Sequence, residues 1–215
     1  MQPIRSHREG TPARTAGSGG SDSRERDASV YPPREDSRLL LPFAEVPRRT
    51  LFLEVGTGTG LAAIAAARGG ARVVATDLNP HALRRLRARA LEEDVNLEVV
   101  RTDLARGLGR FDRILANPPY LPTRPEERDP DRWHNLALDG GPDGCRVTAR
   151  LIDDLDQHLA TGASAFVVVS SRQDAESLAG IRSGWEGRGG TLEVVDSRLL
   201  EGERLDVWRL AFATP

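Results

Sequence analysis

The sequence predicts an α/β fold, a doubly wound seven-stranded sheet with helices on both faces, and three observations carry that prediction. Short apolar runs alternate with helical segments from Leu51 onward; Gly56, Gly58 and Gly60 come directly after the first run; Asp77, Asp103 and Asn117 each close or follow a later one. Strand alternating with helix implies parallel pairing, because a parallel partner is reached only through a long crossover. In chain order, Arg38 to Glu45 reads as an apolar helix closed by prolines on both sides. Leu51–Val55 is a buried strand, Leu61–Arg68 a helix, Arg72–Thr76 a strand and Pro80–Glu93 a helix. Pro80 suits a first helical turn, where a missing N–H costs nothing. Strands follow at Leu97–Val100 and Arg113–Ala116, then a long loop to Gly144, a helix at Arg146–Leu159 and a strand at Ser164–Val169. A helix near Asp174–Trp185 and strands Leu192–Asp196 and Leu205–Ala211 complete the pattern, with no internal repeat.

Composition narrows the function classes. The chain has 215 residues, 39% of them hydrophobic, enough for one domain with a substantial core. Residues 1–28 are rich in Gly, Ser, Arg and Asp and cannot offset their ordering entropy by burial, so they read as a disordered tail, with the domain at 29–215. No apolar run approaches the roughly 20 residues that span a bilayer, and the basic N-terminus lacks an apolar signal core. The single cysteine, Cys145, excludes an internal disulfide framework and a cysteine-cluster metal site, so a reducing cytoplasm is the expected compartment and no membrane association is expected. A net charge of −2 gives no global attraction to nucleic acid. Every basic residue is arginine, which reads as a compositional bias of the genome.

The chemistry lies at the strand ends. Glycines at 56, 58 and 60 let the backbone turn sharply and leave no Cβ between main chain and ligand. Their spacing differs from the Gly-x-Gly-x-x-Gly of dinucleotide sites, and Glu54 just before them would repel a phosphate. A carboxylate there suits a cationic amino-acid group, which favours S-adenosylmethionine, a ligand with an ammonium, a sulfonium and no phosphate. Asp77, about twenty residues past the first glycine, is placed to accept hydrogen bonds from ribose hydroxyls. Asp103 follows the third strand and can accept from an adenine amino group while Leu104 packs on the ring or offers its N–H. Taken singly, either Asp could be a helix cap or turn residue.

Asn117-Pro118-Pro119-Tyr120 defines the reaction. An amide or exocyclic amine is a poor nucleophile because its lone pair is delocalised. If Asn117 Oδ1 and the Pro118 carbonyl accept its two N–H bonds, the nitrogen is held with its lone pair facing a methyl group. Pro118 and Pro119 fix φ and so preset the carbonyl, and Tyr120 can cover a planar group.

These residues resemble a known family. The Asn117–Tyr120 turn, Leu53–Gly60 and Thr76-Asp77-Leu78-Asn79-Pro80 look like the class I S-adenosylmethionine-dependent methyltransferases of Rossmann-like fold that modify planar nitrogens. Val30–Ser37, Asp139–Gly144 and Glu203–Trp208 are similar to the archaeal and eukaryotic HemK2-type branch, which methylates the glutamine of the Gly-Gly-Gln motif in class I peptide release factors. The resemblance spans residues 30 to 213. It implies that Ser37, Glu54, Gly56, Asp77, Asp103, Leu104 and Asn117 meet S-adenosyl-L-methionine, with Asn117 also on the acceptor amide; the expected site adds Gly58, Gly60 and Leu78 at the cofactor and Pro118, Pro119 and Tyr120 beside Asn117 at the reacting amide. It also implies a small zinc-binding activator of the Trm112 type, docked beside the third strand as a heterodimer. Ser37 stands where threonine is common and Pro33-Arg34 where Pro-Ala is usual; neither removes a functional group.

Other polar residues are discounted. His81, His134 and His158 have no metal-ligand spacing, Trp133 and Trp185 read as packing residues, and Cys145 lacks a partner base. An adenine-N6 or guanine-N2 nucleic-acid methyltransferase would share the Asn-Pro-Pro-Tyr chemistry, but the basic, aromatic target-recognition segment it needs is missing. A non-catalytic cofactor-binding subunit is the third reading, against which the intact Asn117 turn stands.

Overall fold

The computed structural model describes residues 35–200 and 202–213. The tail expected over 1–28 and the segment Val30–Arg34 lie outside the described residues. The apolar stretch before the first strand forms two short helices, α1 (Glu35–Leu39) and α2 (Leu41–Ala44), where the sequence predicts one. Pro42 enforces the break, since it lacks an N–H and its ring would clash with the carbonyl four residues back.

The alternating section then follows as β1 (Leu51–Val55), α3 (Leu61–Arg68), β2 (Arg72–Asp77), α4 (Pro80–Glu92), β3 (Glu98–Arg101) and β4 (Phe111–Ala116). After the loop come α5 (Arg132–Leu138), α6 (Arg146–His158), β5 (Leu159–Ser170), α7 (Ala175–Gly187), β6 (Gly190–Leu200) and β7 (Glu203–Phe212). The sheet order is β3-β2-β1-β4-β5-β7-β6. It is mixed, and the expectation of a parallel sheet fails at one strand: β7 runs antiparallel to both β5 and β6. The reason is local. No helix separates β6 from β7, and a hairpin around Gly202 (φ 73°) can only pair its strands antiparallel. That pairing also lengthens β5, β6 and β7 beyond their apolar cores.

Alternation within each strand divides the core into two layers. Phe52 and Leu115 face one layer with Ile64 of α3 and Leu86 of α4, while Leu53 and Ile114 face the other with Leu151, Ile152 and Trp185. The inner strands are apolar on both sides because helices cover both faces. On α4 the buried residues Ala82, Leu83, Leu86 and Ala90 recur every three to four positions, so its arginines point outward. The Asn79 side chain caps this helix by accepting the His81 N–H at 2.9 Å. Trp185 is fully buried and donates its indole N–H to the Thr191 carbonyl at 2.9 Å, which makes it a packing residue.

Gly60 shows how tightly loop and helix fit. It adopts φ 73°, and a Cβ there would sit 2.2 Å from Leu86 Cδ1, in the core. Gly60→Ala is therefore expected to destabilise the fold by about 1–3 kcal/mol through overpacking and backbone strain, read as a lowered urea midpoint with an unchanged slope.

Candidate active site

One register row builds the site. Val55 pairs with Thr76 on one side and with Ala116 on the other, so the next residue of each chain segment, Gly56, Asp77 at the end of β2, and Asn117, comes side by side with the others. The strand order reverses between β1 and β4, and in open parallel sheets the crevice at such a point, beyond the carboxyl ends, is where ligands bind. A cavity of about 760 Å³ lies there. Ser37, Glu54, Gly56, Gly58, Asp77, Leu78, Asp103, Leu104 and the whole Asn117–Tyr120 turn all line it.

Gly60 does not line the cavity. Its left-handed backbone closes the loop onto α3 and α4, which gives Gly60 a packing role. Gly56 (φ 65°) and Gly58 (φ 50°) differ, since a Cβ at either would meet nothing within 4 Å. The space over these two glycines is open, a cradle that side chains would fill.

Glu54 is buried at the floor of the cavity. Its Oε2 accepts the Thr57 hydroxyl at 2.5 Å and the Ala63 N–H at 3.0 Å. Burial pushes its carboxyl up to about 7, against the pull of these hydrogen bonds, and nearby Asp77 raises it further. Asp77 is raised for the same first reason. It does more than line the cavity: Oδ2 accepts the Gly58 N–H at 2.9 Å and Oδ1 the Asn79 N–H at 2.8 Å, stitching the glycine loop to the end of β2. Asp103 is held by Arg150 of α6 through a 2.5 Å contact to Oδ2. Leu104 has φ 55°, unusual for a branched side chain, and its carbonyl accepts the buried Thr76 hydroxyl at 2.9 Å.

At the other end of the cavity, Asn117 Oδ1 is buried and has no hydrogen-bond partner. Buried acceptors are almost always satisfied, so an orphaned amide oxygen on a cavity wall marks the place of a missing donor. Tyr120 donates its hydroxyl to Asp36 Oδ2 at 3.3 Å, while Asp36 Oδ1 accepts the Ser37 N–H at 2.7 Å. Asp36, buried on α1, thus ties the N-terminal helices to the turn after β4. Sequence reasoning passed over it, although an acid beside Ser37 was in view.

The loop after Tyr120 is more ordered than its composition suggests. Helix α5 is capped by Asp131, which accepts the Trp133 N–H at 2.9 Å. Leu121 bridges to Asp139, whose carboxylate is buried yet held below the usual carboxylate range: burial opposes this, but the Gly141 N–H, Arg146 and Arg128 outweigh it. The loop is thereby folded back over the cavity, and Trp133 on α5 joins the lining. The sequence reading of Trp133 as packing alone therefore needs extending. Cys145 is buried, and its thiol is pushed up to about 11 by burial and by Asp143 and Asp174, which leaves it unreactive. Among the described residues no group of His, Cys, Asp or Glu could hold a metal ion, and no helix is long and apolar enough to cross a membrane.

The donor set suits one class of ligand. Carboxylates at the ends of β1 and β2 and after β3 repel phosphate and match an ammonium, vicinal hydroxyls and an amino-purine, which are the groups of S-adenosylmethionine.

Comparison with known proteins agrees. A family model described as a methyltransferase domain matches residues 52–129. The chain is 41% identical over 144 residues to a Methanocaldococcus jannaschii protein named as a protein N5-glutamine methyltransferase, covering 66% of this chain and 73% of that one. It is 33% identical over 162 residues to mouse methyltransferase HEMK2, covering 69% of this chain and 75% of that one. Among solved structures it superposes on the E. cuniculi Mtq2–Trm112 complex, responsible for methylation of the eRF1 translation termination factor, with a TM-score of 0.66 and 25% identity over 86% of this chain and 99% of that one.

The raised Glu54 carboxyl makes a stability prediction. Between pH 4.5 and about 7 the folded chain holds a proton at Glu54 that the unfolded chain has released, so stability falls as pH rises through this window. Glu54→Gln should remove that component. In urea titrations, the stability of the variant relative to the parent is expected to rise by on the order of 1–3 kcal/mol from pH 5 to pH 8. A pH-independent difference would mean that Glu54 titrates normally.

Proposed function

Since the chain belongs to the protein N5-glutamine methyltransferase family of HemK2 type, we propose that it moves a methyl group from S-adenosylmethionine to the side-chain amide nitrogen of a glutamine in a class I peptide release factor. The observation that carries this reading is the orphaned, buried Asn117 Oδ1 on the wall of the cavity. Two acceptors are what a primary amide needs, and Asn117 Oδ1 with the Pro118 carbonyl provides them. When bound, S-adenosylmethionine supplies an electrophilic methyl on its sulfonium.

The protein's own groups do the rest. Glu54 faces the ammonium, Asp77 the ribose and Asp103 the adenine amino group, with Ser37, Gly56, Gly58, Leu78 and Leu104 completing the wall. Asn117 Oδ1 and the Pro118 carbonyl fix the amide nitrogen and orient its lone pair. Positive charge that builds on the nitrogen is met by the same two oxygens, after which its excess proton passes to solvent. Tyr120, braced by Asp36, covers the amide plane. A domain over 29–215 is part of the proposal: α1 contributes Asp36 and Ser37, and the strand ends and loops of one sheet from Leu51 to Phe212 contribute the other groups. A buried lone thiol fits cytoplasmic residence.

A Trm112-type activator is part of the proposal. β3 is the outer strand beside β2, and on the adjoining α4 Leu91 is 83% exposed. Arg87 donates to the Val99 carbonyl at 2.9 Å, shielding one backbone group of that edge, while the rest can pair with another chain.

Three measurements test the proposal. Tritiated S-adenosylmethionine should label the organism's release factor but not its Gln-to-Ala variant, total RNA or DNA; labelling of nucleic acid instead would transfer the assignment to a nucleobase. Asn117→Ala should leave cofactor affinity within about threefold while cutting turnover by about a hundredfold or more, since positioning counts most in the transition state. Coexpression with the activator should give a one-to-one heterodimer by light scattering, whereas a fully active chain that never copurifies with it would remove the partner from the reading.

A further inference from the structure

The Arg150–Asp103 contact is a place where an unassigned side chain acts on the proposed cofactor site. Arg150 lies on α6, and its guanidinium reaches Oδ2 of Asp103, in the turn after β3, at 2.5 Å. Both groups line the cavity and both are partly exposed, at 49% and 32%. A pair this wet contributes little to folding, because Coulomb attraction is weak in water and two side chains must be ordered to make it. Its geometric effect is larger. With Oδ2 occupied, Oδ1 is the oxygen left for a ligand, and the next residue is fixed too: Leu104, in the left-handed region at φ 55°, is pinned through its carbonyl by the buried Thr76 hydroxyl. The Asp103-Leu104 step is thus held from α6 on one side and from β2 on the other, as a preset edge and platform.

We propose that Arg150 is a positioning residue for recognition of the purine 6-amino group, orienting the Asp103 carboxylate so that Oδ1 accepts that N–H. The inference rests on the reading of Asp103 as the adenine contact. A purine laid on Leu104 covers the ion pair and removes it from water, where the attraction between the two charges strengthens. Arg150 therefore acts chiefly in the liganded state.

The test separates Arg150 from Asp103. Binding of S-adenosylhomocysteine and of its analogue lacking the 6-amino group is measured by calorimetry on the full chain, in the parent, Asp103→Ala, Arg150→Met and Arg150→Lys. The parent should prefer the amino-bearing ligand, and Asp103→Ala should abolish the preference. Arg150→Met should weaken the amino-bearing ligand about two- to tenfold and leave the analogue within about twofold, with Arg150→Lys in between. Equal weakening of both ligands by Arg150→Met, or no effect on either, overturns the inference while the Asp103 reading stands. A preference that survives Asp103→Ala overturns both.

Discussion

The parallel register of β2, β1 and β4 is the constraint on which the rest depends. Because Val55 faces Thr76 and Ala116 in one row, the chain leaves the sheet at three neighbouring points, and everything chemically distinctive follows within a residue or two of that row. The two core layers keep the row in place. A one-residue slip in β1 would exchange Phe52 and Leu53 between the layers and turn both faces inside out. Placement of the site is thus enforced by hydrophobic patterning far larger in energy than any single contact within the site.

Inside that frame the site works against stability. Glu54 is buried with hydrogen bonds to Thr57 and Ala63 that do not offset its desolvation, and Asp77 sits close enough to add repulsion. Leu104 is held in a backbone conformation that its side chain disfavours, and Asn117 keeps an acceptor unsatisfied. In the proposed function each group has a counterpart in one ligand set: a cation for the carboxylates, a ring for the Leu104 side chain, an amide donor for Asn117. Local strain concentrated where a ligand completes the structure is the signature of a preorganised site. The two oxygens of Asp77 hold the glycine loop in shape.

Most of the fold was legible because its signals are local. Apolar runs followed by a glycine, an acid or Asn117 marked β1, β2 and β4 to within two residues, and Pro80 marked the start of α4. The misses have physical causes. Pro42 split a helix that hydrophobicity alone ran together. α5 was lost within a loop because its residues are only partly buried and show no apolar stripe, although Asp131 offered a cap. The reversed direction of β7 was implicit in the absence of a helix after β6, but strand direction is a property of connections and leaves no trace in the strand's own residues.

By itself the sequence determined the elements, the acids that end them and the Asn-Pro-Pro-Tyr turn, because glycine, proline and carboxylates act through backbone geometry and charge that travel with the residue. It determined in this way the kind of chemistry, methyl transfer to a planar nitrogen. Tertiary structure alone decided which groups meet. That Gly60 packs against Leu86 of α4, that Asp36 braces Tyr120, that Arg150 holds Asp103 and that the loop through Asp139 covers the site are contacts between residues far apart in the chain. Such contacts depend on how helices lie across a twisted sheet, and no local pattern encodes that distance.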